Sequence, residues 1–128
     1  MAQVKVYGLK PQLERVQRDL SEAVHRRLVE AFKLPTEKKF QRFFPLEPEH
    51  FIYPEDRSER YTILEIGLFE GRSVEAKKNL IRLLIERLAL VGIPPQDLEI
   101  TLTETPRANW GIRGVPGDEL ALGYEVEV

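Results

Sequence analysis

Cysteine is absent from this 128-residue chain, which excludes disulfides, thiol nucleophiles and any cysteine-based zinc or iron–sulfur site. Histidine is scarce as well, with His25 and His50 the only imidazoles. No apolar run approaches the ~20 residues needed to cross a bilayer, and the start MAQVKVYG has no basic stretch followed by an apolar one. A cytoplasmic protein with no membrane contact is therefore expected. Neither sign of charge is in excess. Nineteen Lys and Arg against twenty-one Asp and Glu leave a formal net charge of −2, with no broad electrostatic footprint for nucleic acid. The run KKFQRFF mixes cations with aromatics but reads as a half-buried strand rather than a single-strand binding face. A 42% hydrophobic content supports one domain over residues 1–128.

Hydrophobic period divides that domain. Val4 and Val6 alternate with polar neighbours, as in a short strand with one buried face. After Gly8–Pro11 the period changes. Leu13, Val16, Leu20, Ala23, Val24, Leu28 and Phe32 recur at three- and four-residue steps, the stripe of an amphipathic helix that ends at Lys33-Leu34-Pro35. His25 falls among its polar positions. Lys39–Phe44 reads as a second strand, and the proline-punctuated connection FPLEPEHFIYPEDRSER is long enough to wrap over the surface. Tyr61–Phe69 then reads as a third strand. Ser73 is placed to cap a helix running to about Val91, Gly92 and Pro94-Pro95 stop it, and Leu98, Ile100 and Leu102 alternate in a fourth strand.

The second half repeats the first. Adding sixty carries Val4 to Leu64, Val6 to Ile66, Leu20 to Leu80, Val24 to Leu84 and Leu28 to Leu88, which defines a pseudo-repeat of residues 1–44 and 61–105. The tail, 106–128, holds the Gly/Pro-rich PRANWGIRGVPGDE. It closes with Leu120, Leu122, Tyr124, Val126 and Val128 in alternation, which predicts a C-terminal strand.

The segment EGRSVEAKKNLIR, Glu70–Arg82, follows a strand and opens a helix, and it resembles the corresponding stretch of 4-oxalocrotonate tautomerase. The likeness continues through Ile93-Pro94, Thr103-Glu104 and Asn109-Trp110-Gly111-Ile112-Arg113-Gly114. It spans about Thr62–Gly114, while the first half matches in pattern only. Two fused units with a tail look like the long members of the tautomerase superfamily, such as malonate semialdehyde decarboxylase. The resemblance implies an α+β, tandem βαβ-βαβ fold, with a four-stranded mixed sheet and two helices on one face, assembled as a homotrimer.

It also implies a chemistry. Members of the superfamily use an amino-terminal proline as general acid or base beside a substrate carbonyl. Here Ala2 stands at that position, so an amine is available there only if Met1 is removed; a retained Met1 is expected to fill the pocket and displace it. Arg72 matches the arginine that grips a substrate carboxylate, for which a guanidinium fork is suited. Trp110 takes the place of the aromatic wall of the pocket. Asn109 and Arg113 are candidate substrate contacts, with Arg42 a further compensating cation. Glu99 stands where a second arginine aligns, and Lys38 where the decarboxylase carries an acid.

A small 2-oxo or enol carboxylic acid is the implied substrate, with no metal and no cofactor. His50 beside Glu47, Glu49 and Asp56 fits no recognised metal-ligand spacing. Two other readings stay open at this point. One is a non-catalytic trimer that binds a small ligand or serves a structural role. The other is an unrelated ferredoxin-like module.

Overall fold

Apolar alternation along two stretches builds the centre of the sheet. In the computed structural model, which describes Met1–Val128, β1 (Ala2–Leu9) buries every second residue and β3 (Thr62–Phe69) does the same along most of its length. The two pair antiparallel, with Ala2 opposite Leu68, Val4 opposite Ile66 and Val6 opposite Leu64, so six apolar side chains share one face. β2 (Gln41–Leu46) adds parallel to β1, and β4 (Leu98–Thr105) parallel to β3, in the order β2-β1-β3-β4.

Each parallel step needs a crossover, and a helix supplies it. α1 (Lys10–Phe32) accepts Pro11 because the first turn requires no intrahelical N–H, and it ends at Lys33 in the left-handed region, with φ 54°. α2 (Val74–Val91) begins at Ser73, whose hydroxyl accepts from the Ala76 amide at 3.1 Å. It ends at Gly92, where φ of 112° suits a residue without Cβ, and the Ile93 amide reaches back to the Leu88 carbonyl at 3.0 Å. The buried residues of both helices join the inward residues of β1 and β3 in one core, so both helices cover the same face. The opposite face carries Tyr7 and Glu65, joined by a 2.7 Å hydrogen bond.

The long connection wraps over the surface, as its prolines suggested. Phe51, Tyr53 and Tyr61 pack their rings together with centroids 4.9–5.5 Å apart. Arg57 ties the segment to Glu99 at 2.8 Å, and Asp97 accepts from the Ser58 amide at 2.8 Å.

Three expectations need correction. The second strand lies two residues later than Lys39–Phe44, because its ladder begins at Gln41 opposite Val4; as an edge strand it tolerates Pro45, which has no N–H to donate. His25 is buried, with Nε2 2.7 Å from the Thr36 carbonyl, since the turn after α1 folds back over it. The C-terminal strand is not formed. The short hairpin β5 (Gly111–Ile112) and β6 (Val115–Pro116) precedes an irregular strap in which Leu122, Tyr124 and Val126 pack inward near Met1 and Phe69. The alternation there records one buried face of an extended segment and no ladder partner.

The shared core sets stability. Leu84→Ala, at a fully buried position, is expected to cost about 2–5 kcal/mol, whereas Ile52→Ser, at 90% exposure, stays within about 0.5 kcal/mol. Urea midpoints of the two variants check this.

Candidate active site

The central pairing sets Met1, just before β1, beside the end of β3 and the turn that enters α2. That turn is Glu70-Gly71-Arg72-Ser73. Gly71 adopts φ of 130°, and a Cβ there would meet Val126 at 3.0 Å, so the strap lies directly on the turn.

Arg72 points inward and is only 5% exposed. Its guanidinium lies 5.0 Å over the Phe32 ring, and Nη1 donates to the Phe69 carbonyl at 3.2 Å. Nε and Nη2 are buried with no hydrogen-bond partner. Burial holds this guanidinium below its ordinary pKa, with Tyr124 pulling the other way. A buried cation with two orphaned donor atoms is costly unless an anion completes it.

The Met1 amino group occupies the same site. Its side chain packs against Phe69 and Val126, and the amine donates to the Tyr124 hydroxyl. Burial, and then the charges of Arg72, Arg107 and Lys38, lower its pKa from 8.0 to about 5. Met1 does fill the space beside the turn, yet an amine remains there, carried by Met1 itself. Ala2 lies one step along, within β1 and opposite Leu68.

Trp110 stands edge-on to Phe69, with centroids 4.9 Å apart and planes at 82°, and its indole Nε1 is buried without a partner. With Met1, Gln3, Phe40, Ile112 and Arg113 it borders a hollow of about 360 Å3. Arg113 is thus brought to the site. Asn109 is not. It is exposed in the 3-10 turn Arg107–Asn109, where its amide donates to the Pro106 carbonyl at 2.8 Å. Arg42 lies in β2 opposite Lys5, on the exposed side of the strand.

Glu99 sits at the start of β4, opposite Ile63, at the other end of the sheet from Arg72 in this chain. There it accepts from Arg57 and, at 2.6 Å, from Tyr61. Among the carboxylates near the Arg72 end, Glu104 is held by Lys77 at 2.7 Å and favours the charged form of Arg72. His50 is exposed, and no three His, Asp or Glu side chains converge anywhere in the chain.

Two residues at the site were not singled out in the sequence. Arg107 spreads over the Phe69 ring at 5.7 Å and donates to the Gly117 and Leu120 carbonyls at 2.7–3.1 Å. Tyr124 faces the amine, and burial raises its hydroxyl pKa while Arg72 and Arg107 oppose the rise. Its place in an alternating apolar run was the only signal, and that run gave no hint of which surface it covers.

Two strand-helix-strand units thus bring an amine, a buried arginine and an aromatic ring to one end of the sheet. The tautomerase enzyme family matches residues 38–113, more than half of the chain, and the chain belongs to that family. A probable tautomerase from Ralstonia nicotianae is 38% identical over 55 residues, covering 42% of this chain and 79% of that protein. The 2-hydroxymuconate tautomerase of Comamonas testosteroni is 39% identical over 57 residues, 44% of this chain and 90% of that protein. Among solved structures, malonate semialdehyde decarboxylase overlays with a TM-score of 0.80 at 23% identity, over 93% of this chain and 99% of that one. Native fused 4-OT overlays with a TM-score of 0.80 at 22% identity, over 92% and 98%. These two likenesses establish the fold.

The buried amine makes stability depend on pH. Its folded pKa of about 5 lies below the 8.0 of the free group, so the unfolded chain binds more protons between those values. Stability attributable to this group is therefore present above pH 8 and is lost as pH falls toward 5. Urea midpoints across that window should rise with pH for the free amine and flatten for Nα-acetylated protein. A slope untouched by acetylation would put the amine in water.

Proposed function

We propose that this chain is a tautomerase-type catalyst for a small 2-oxo or enol carboxylic acid. One observation carries the reading: the buried Arg72 guanidinium, with two donor atoms unpartnered, shares a desolvated site with the chain's amino group. The substrate carboxylate pairs with Arg72, giving its unpartnered donors a charge-assisted acceptor. Trp110 and Phe69 keep water from that pair, and Arg113 lines the approach. The amine, neutral near pH 7, takes the enol hydroxyl proton as the C–O double bond forms. The resulting ammonium returns a proton to carbon 3, and the amine is restored. The substrate oxygen takes the position now held by the Tyr124 hydroxyl, so the strap must yield.

The amine belongs to Met1, or to Ala2 once Met1 is removed. The chain is read as one domain whose repeats, 1–44 and 61–105, act together with the tail. Fused 4-OT has been solved as asymmetric and symmetric trimers, which supports a homotrimer here. A second reading, a trimer that binds a small carboxylate without turnover, is favoured by Ala2 in place of proline and by Tyr124 lying on the amine. In neither reading does the site call on nucleic acid or a membrane; no helix is long and apolar enough to cross one.

Ketonisation of phenylenolpyruvate separates the two readings. Arg72→Ala is expected to lower kcat/KM on the order of 100-fold, the loss of two hydrogen bonds to a charged group. The rate should fall as pH drops through about 5, where the amine takes a proton. Intact mass of the same preparation identifies the residue carrying the amine. No Arg72-dependent rate above buffer would leave only the binding reading.

A further inference from the structure

The pairing that brings Met1 to the end of β3 has a counterpart at the other end of the sheet, where Thr62 lies opposite Gly8 near the end of β1. A hollow of about 180 Å3 opens there. Its walls include Leu13, Val16, Val91 and Ile93, and it also carries two guanidinium groups, Arg15 and Arg60, with no carboxylate among the lining residues.

Those two cations are unmatched. Like most arginines of the chain, Arg15 and Arg60 take part in no ion pair. Arg60 makes only a 3.4 Å bond from its guanidinium to the Gly92 carbonyl. An apolar hollow with convergent polar groups of one charge suits an organic anion, and a cavity of roughly 150 Å3 is enough for a benzene ring.

We propose that this second hollow binds a small aromatic monocarboxylate, its ring against the apolar wall and its carboxylate between Arg15 and Arg60. The nitrogen at Thr62 is a peptide amide within the chain, so the occupant is held and not turned over. The sixty-residue offset puts Gln12 in the place of Arg72, which explains why the cations come from other positions here.

Benzoate is the probe, titrated into the full chain while amide resonances are followed by NMR. Saturable shifts at Gly8 and Gly92 are expected. Arg15→Ala and Arg60→Ala should each weaken binding by about tenfold, while Arg72→Ala leaves it unchanged. Both arginines are exposed, so these variants keep the fold, and unchanged dispersion of the remaining amides verifies it. The proposal is overturned by no saturable shift up to tens of millimolar benzoate, or by an affinity indifferent to both substitutions. Shifts confined to Trp110 and Gly111 and abolished by Arg72→Ala would also overturn it, while upholding the carboxylate site at the other end.

Discussion

The antiparallel pairing of β1 with β3 is the constraint from which the rest of the molecule follows. A strand's side chains alternate with period two, so a slip of one residue would turn the core face of β1 outward. With Ala2 fixed opposite Leu68, Val4 and Val6 meet Ile66 and Leu64 under the helices. The same register carries Met1 to the Arg72 turn and Thr62 to Gly8. Packing of the core and placement of the candidate site thus follow from one register.

Charge is handled unusually at the Arg72 end. Arg72, Arg107 and Lys38 all act on one amine, and no carboxylate is among the groups that shift it. Aromatic faces and carbonyl oxygens stand in for anions: Phe32 and the Phe69 carbonyl for Arg72, the Phe69 ring and two carbonyls for Arg107. These neutral partners only partly offset the loss of water. Burial therefore still outweighs the help that Arg72 receives from Tyr124 and Glu104, and its pKa stays lowered.

Much of the architecture could be read from apolar spacing. The 2.0 and 3.6 periods, the Ser73 cap and the Gly92 stop are local features, and all appear in the fold. Arg72 and Trp110 were legible through the EGRS and NWGIRG segments. What escaped depended on distant contacts. The inward turn of His25 depends on a carbonyl eleven residues away, and the roles of Arg107 and Tyr124 depend on where the last residues cross the sheet end. The partners of Glu99, Arg57 and Tyr61, were hidden for the same reason, since both lie about forty residues away in the chain.

Covalent joining of the two units through residues 47–60 has an evolutionary corollary. In an assembly of identical short chains, any substitution is copied to every equivalent position. Here the two ends are encoded separately, so an arginine persists at one while glutamine stands at its counterpart. Aromatic and acidic residues that anchor the connection, Tyr61 and Glu99 among them, have no duty to be mirrored in the first half. Tethering thus frees each end of the sheet to diverge on its own.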